Sequence, residues 1–205
     1  MAATDFWGDS LTNFSVGTGS TMTSAGYTSR DVYHNAGIAG DTSSDVLTRF
    51  SAAPWRKHWN QVIWVGQNWN SQSQIVSDIA TMVNSLTHSR FLIISAINDG
   101  NSAGGQGPSG ARYLELKSLA SALQSIYGAK WYDLRGALVA YGISISDAAS
   151  LSYDAPPTTY QPTDVHLNTA GYIFSQNLIR AIVDSNSTRK DFVAESILAR
   201  NPQTV

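Results

Sequence analysis

The sequence contains no cysteine, which excludes disulfide bridges and thiol chemistry. Charge is scarce: 14% of the 205 residues are Asp, Glu, Lys or Arg, and the formal net charge is −2. No basic stripe is present to follow a phosphate backbone, so no nucleic-acid partner is expected. Long apolar runs are missing as well. The longest, "FLIISAI", has the length of a strand and falls far short of the roughly 20 residues that span a membrane. The opening "MAATDFW" carries neither a basic n-region nor an apolar h-region, so no signal peptide is expected. There are four histidines, and no pair of them has metal-ligand spacing on a helix. Neither a metal nor a cofactor is expected.

What is present is a 42% hydrophobic content, enough to build one compact domain of ordinary size over residues 1–205. Within it, "RKDFVAESILAR" suggests a helical extension over 187–205. Few charges beside many Ser, Thr, Asn and Gly is a composition shared with exported and phage-tail proteins, which favours an extracellular or virion-associated setting. Nothing in the sequence fixes an oligomeric state.

Along the chain, short apolar bursts alternate with helical periodicity. "TDFWG", "DVYHNAG", "QVIWVG", "RFLIISAI" and "KWYDL" read as strands, and the unbroken apolar third and fourth are of the buried parallel type. "SSDVLTRFSAA" reads as a helix capped by Asp41 and Thr42. "SQSQIVSDIATMVNSL" places Ile75, Ile79, Met82, Val83 and Leu86 at helical spacing. "ARYLELKSLASALQSIYG" reads as a helix closed by Gly128, and "LNTAGYIFSQNLIRAIVDS" as another, with Asn168 or Thr169 near its start. "GNSAGGQGPSG" reads as a loop, and "YGISISDAASLSYDAPPTTYQPTDV" as a long irregular stretch. About five strand–helix alternations argue an α/β domain with a parallel sheet and helices on both faces. Trp64 and Trp131 are expected in the core. Trp7 suits either core or pocket, and Trp69 a pocket wall. His34, His58 and His88 are expected as surface or packing residues.

Ligands of open parallel sheets bind beyond the carboxyl ends of the strands. Gly8-Asp9-Ser10 follows the first strand, Gly37 and Gly40 the second, Asn68 the third, and Asn98 and Asp99 the fourth. Asp164 and His166 stand just before the last helix. This rim carries the parts of acyl transfer. Ser10 can be a nucleophile at a helix start, His166 its base, and Asp164 the residue that orients the base. Gly40 and Asn68 can give N–H groups to an oxyanion. Taken alone, Ser10 is as well explained as a helix cap, and Asp9 as a brace of the turn.

"FWGDSLT", "AGIAGDTSSDVLTRF", "VGQN" and "VHLNTAGY", in this order, resemble the GDSL or SGNH hydrolase family, over residues 4 to about 183. The resemblance implies a flavodoxin-like, three-layer α/β/α fold with about five parallel strands, and a metal-free serine ester hydrolase working through an acyl-enzyme. It assigns the nucleophile and one oxyanion N–H to Ser10, the other two donors to Gly40 and Asn68, and the base to His166. One position departs from the pattern. The family places its acid three residues before the histidine, where this chain has Thr163, and Asp164 lies two before. Asp164, Thr163 or a backbone carbonyl remain the alternatives for holding the imidazole. The polar rim favours a small acyl group, such as acetyl on a carbohydrate. The expected partner is therefore a small-molecule or glycan ester. The rivals are a lipase or thioesterase, and a non-catalytic carbohydrate-binding module on the same fold.

Overall fold

The computed structural model describes residues 3–17, 19–25, 27, 32–99, 107–108, 110–162 and 164–185. Five strands, β1 (Thr4–Gly8), β2 (Tyr33–Gly37), β3 (Asn60–Trp64), β4 (Phe91–Ile94) and β5 (Trp131–Tyr132), form one sheet in the order β2-β1-β3-β4-β5. Every pairing is parallel. The described helices are α1 (Ser10–Gly17), α2 (Gly19–Ser24), α3 (Ser43–Ser51), α4 (Gln72–Asn84), α5 (Ala111–Tyr127), α6 (Leu134–Ser144), α7 (Ala148–Tyr153) and α8 (Thr169–Ser185). This is the three-layer α/β/α architecture expected from the sequence, with a flavodoxin-like strand order.

Alternation along the strands explains the two helical layers. Phe6, Val62, Trp64, Leu92 and Ile94 face one side and meet Leu11, Val16, Met22, Leu138 and Ile179 from α1, α2, α6 and α8. Trp7, Ile63 and Ile93 face the other side and meet Val46, Phe50, Ile75, Ile79, Met82, Leu119 and Leu123 from α3, α4 and α5. Each fully buried Leu, Ile or Phe contributes about 1.5–3 kcal/mol. Trp64 is core, as expected. Trp7 belongs to the core as well, edge-on to Phe50 at 5.2 Å, whereas Trp131 is only half-buried.

The register decides where the site forms. Gly8 pairs with Gly37 on one side and with Trp64 on the other. Strands β1, β2 and β3 therefore end level, and their loops emerge side by side.

Three readings of the sequence are corrected. Strand β4 ends at Ile94, short of the expected residue 97. "KWYDL" is a strand only over Trp131–Tyr132; Asp133 then caps α6 by accepting the Gly136 N–H at 2.9 Å. The stretch from Tyr141 onward is not irregular throughout, because it holds the end of α6 and all of α7. Glycine hid this hairpin. A Cβ at Gly142 would lie 1.8 Å from Ser150 Oγ, so these helices approach at a contact only glycine permits, and glycine lowers helix propensity. The expected extension over 187–205 and most of the 100–110 loop lie outside the described residues.

Candidate active site

Strand β1 runs directly into α1, and the two residues at the junction divide the work. Asp9 is the cap: its Oδ1 accepts the Leu11 N–H at 2.9 Å, and its carbonyl accepts the Asn13 N–H at 2.9 Å. Ser10 is thereby relieved of capping, which removes the plain explanation of it as a helix cap. Its hydroxyl instead meets His166 Nε2 at 2.9 Å. The turn is tight. A Cβ at Gly8 would lie 2.1 Å from Thr12 Oγ1 and 2.2 Å from the Trp64 carbonyl oxygen. Ser10 is 7% exposed and Asp9 1%. Burial pushes the Asp9 carboxyl up to about 6, against the backbone N–H groups of Leu11 and Asn68 that stabilise its anion.

His166 stands on the loop leading into α8. Its Nδ1 lies 3.1 Å from Asp164 Oδ1, and the same oxygen accepts the His166 backbone N–H at 2.7 Å. This compact turn is how an aspartate two residues upstream reaches the imidazole. The His166 N–H holds the Asp164 carboxyl below its ordinary range. Thr163, the other side chain in question, lies outside the described residues. Buried Gln161 supports the loop. Its amide donates to the carbonyls of Asn98 at 3.0 Å and Val165 at 3.1 Å, tying the residue before His166 to the loop after β4.

Gly40 and Asn68 occupy the neighbouring loops. Gly40 has φ +88°, and nothing lies within 4 Å of where its Cβ would be. Glycine is needed there for the backbone conformation, and the space beside it stays open. Asn68 is held from both sides. Its backbone N–H goes to the Asp9 carboxylate, and Nδ2 donates to the Asp41 carbonyl at 3.0 Å, leaving that amide one further N–H. The loops after β1, β2 and β3 are thus joined through Asp9, Asp41 and Asn68.

Two arginines complete the frame, and neither was singled out from the sequence. Arg49 binds the Asp41 carboxylate through Nε and Nη2, the Ala36 carbonyl through Nη1 at 2.6 Å, and the Gly8 carbonyl through Nη2 at 3.3 Å. Arg112 donates to the carbonyls of Gly66 and Gln67, both at 2.8 Å, and lies 4.2 Å over the Trp69 ring. Trp69 is therefore covered by Arg112. The only advance signal was an arginine in the last turn of α3 and another in the first turn of α5. Their partners are mostly carbonyls of other elements, which no side-chain pattern displays. The capping role expected of Thr42 is there as a reciprocal box with Asp45, while Asp41 pairs with Arg49.

The other histidines serve structure. His34 Nδ1 lies 2.7 Å from buried Asp5 Oδ1; His88 Nδ1 accepts the Arg90 N–H at 3.1 Å, and the His58 carbonyl accepts from the Arg90 guanidinium at 2.6 Å. Among the described residues, no group of three or more His, Asp or Glu side chains is placed to hold a metal, and no helix is long and apolar enough to cross a membrane.

No protein-family model matches the sequence. Solved structures do resemble it. A lipase/acylhydrolase from Enterococcus faecalis superposes with a TM-score of 0.62 at 19% identity, covering 90% of this chain and 96% of that one. An acetyl xylan esterase superposes at 0.64 and 17% identity, covering 87% and 98%. A member of the lipolytic G-D-S-L family from Veillonella parvula superposes at 0.60 and 12% identity, covering 88% and 96%. At these identities the likeness establishes a shared fold over nearly the full length of each chain.

Proposed function

We propose that this chain is a GDSL/SGNH-type serine carboxylic ester hydrolase that removes a small acyl group, such as acetyl, from a carbohydrate. The observation that carries the reading is the 2.9 Å contact between Ser10 Oγ and His166 Nε2, at the start of a helix whose cap is a different residue. The fold shared with lipolytic and esterase structures supports it.

In this mechanism Ser10 Oγ attacks the acyl carbon and His166 Nε2 takes the hydroxyl proton. Asp164 keeps Nδ1 protonated and the ring aimed at Ser10. The oxyanion is met by the N–H groups of Ser10 and Gly40 and by the spare N–H of Asn68 Nδ2. The Ser10 N–H belongs to the first turn of α1, whose amides have no partner within the helix and favour negative charge. Collapse of the tetrahedral adduct expels the alkoxide, which takes the proton from His166. Water, deprotonated by His166, then attacks the acyl-serine and releases the acid.

Hydrolysis of p-nitrophenyl acetate above buffer, abolished by Ser10→Ala, is the expected result. Full activity in the Ser10→Ala protein would overturn the mechanism. A rise in kcat/KM with acyl chain length would replace the small-acyl part with a lipase or thioesterase assignment.

A further inference from the structure

Acyl transfer at this site has a direction. The oxyanion points toward the loops after β2 and β3, which hold Gly40 and Asn68. The leaving alkoxide must come within hydrogen-bond reach of His166 Nε2 to take its proton. The alcohol part of the ester therefore lies on the His166 side of Ser10, and the acyl part away from it.

A cavity of about 470 Å³ lies on that side, between α1, α2 and the start of α8, walled by Asn13, Phe14, Thr21, Leu167, Asn168 and Tyr172. Neither Ser10 nor His166 lines it, but its walls adjoin them. Phe14 stands one helical turn beyond Ser10, and its ring meets the His166 ring edge-on at 5.2 Å. Leu167 and Asn168 directly follow His166 in the chain. Phe14 is also 46% exposed, a large aromatic surface left open beside a reacting centre.

The lining selects the ligand's chemistry. None of its side chains is charged, so a phosphate or carboxylate would lose hydration without a counter-ion. A long alkyl alcohol would strand the two amides. Those amides are held in place. Asn13 Oδ1 accepts from Asn35 Nδ2 at 3.1 Å, which leaves the Asn13 N–H groups as donors. Asn168 donates to the Thr159 carbonyl at 2.8 Å and accepts the Gly171 N–H at 3.0 Å, keeping one more site on each atom. An open aromatic face between fixed amides suits a neutral ring with one C–H face and a hydroxyl rim. The volume lies in the usual range for small-molecule sites, about 300–1,000 Å³.

We propose that this cavity is the alcohol-side subsite and holds a neutral pyranose ring of the substrate, with Phe14 as its stacking platform and Asn13 and Asn168 as its hydroxyl readers. This rests on the ester-hydrolase reading above and adds which part of the glycan sits where.

The test uses the unmutated protein first. With vinyl acetate as acyl donor, a methyl pyranoside in excess should divert the acetyl group from water. The sugar hydroxyl gives its proton to His166 as its oxygen takes the acyl carbon from Ser10 Oγ, so acetylated glycoside accumulates. An acyclic hexitol at the same concentration should not compete. In the second arm, kcat/KM is measured for an acetylated methyl pyranoside and for ethyl acetate, whose alcohol is too small to fill the cavity. Phe14→Ala and Asn13→Leu should each lower the ratio of the two by at least about tenfold. No transfer to the pyranoside, or an unchanged ratio in both folded variants, overturns the subsite while ester hydrolysis stands. A protein that cleaves neither ester overturns the ester-hydrolase reading and the subsite together.

Discussion

Asp164 holds His166 twice with one oxygen: Oδ1 lies 3.1 Å from the ring Nδ1 and 2.7 Å from the backbone nitrogen of the same residue. An acid two residues from its histidine is thus geometrically competent, because the turn that brings it close is built from the contact itself. The carboxylate is 58% exposed, so water screens its charge. Asp164→Ala should lower kcat about 10- to 100-fold, less than the roughly 10,000-fold that disabling a buried orienting aspartate costs. Asp164→Asn keeps an acceptor for the backbone N–H and should fall between wild type and Asp164→Ala. Steady-state kinetics on p-nitrophenyl acetate decides it; undiminished kcat in Asp164→Ala would mean that the imidazole is oriented by something else.

Arg49 is the residue whose loss should reveal how the loops after β1 and β2 are held. Its guanidinium reaches the Asp41 carboxylate and the carbonyls of Ala36 and Gly8, so one planar group joins the ends of β1 and β2 to the residue after Gly40. A lysine ammonium cannot match that fork. Arg49→Lys should lower kcat about 10- to 100-fold with little change in KM, below the 100- to 1,000-fold for deleting an oxyanion donor outright. A change confined to KM would place Arg49 in substrate binding instead.

Asp9 gives the fold a pH dependence of known sign. Its carboxyl ionises near 3.8 in an ordinary setting and near 6 here, chiefly because it is buried. Between those values the folded chain keeps a proton that the unfolded chain has lost. The Asp9 contribution to stability is therefore greatest below about pH 4 and falls until about pH 6, by on the order of 3 kcal/mol. Asp9→Asn cannot titrate and retains an oxygen for the Leu11 N–H. Denaturant unfolding at several pH values should show the variant gaining on wild type as the pH rises from 4 to 6. A constant difference across that window would contradict the raised value.

Much of this is legible in the sequence. The apolar runs at 61–66 and 90–97 read as covered strands and hold most of β3 and all of β4, which stops at Ile94, and Ile75, Ile79 and Met82 lie buried as their spacing required. The meeting of Ser10 with His166, 156 positions apart, was expected from Ser10 at a strand end, His166 before the last helix and the resemblance of both stretches to a known pattern. Other features left no pattern. Helices α6 and α7 are carried by Asp caps and a glycine contact rather than by a strong apolar stripe. The choice between Asp9 and Ser10 as helix cap depends on which side chain turns toward Leu11. The arginine clamps act on backbone carbonyls that sequence cannot bring together.

In the proposed mechanism, Gly40 and Asn68 separate two ways of damaging an oxyanion site. At Gly40 a methyl group would meet open space, so Gly40→Ala harms only through φ +88°. The strain costs about 1–2 kcal/mol, and relaxing it would swing the Gly40 N–H from its position. Asn68→Ala deletes a donor and also releases the Asp41 carbonyl that Nδ2 now holds. It should lower kcat about 100- to 1,000-fold. Asn68→Asp keeps the size and the backbone N–H to Asp9 but sets an anion beside a developing anion, and it should be the slowest of the three. A p-nitrophenyl alkylphosphonate, which expels p-nitrophenolate as Ser10 Oγ bonds to phosphorus and gives its proton to His166, leaves a phosphonyl oxygen at the oxyanion position and offers a readout independent of turnover. Its rate of inactivation should fall in the order Gly40→Ala, Asn68→Ala, Asn68→Asp. If Asn68→Ala reacts with the phosphonate as fast as wild type, Asn68 only braces the loop, and the oxyanion is held by backbone N–H groups alone.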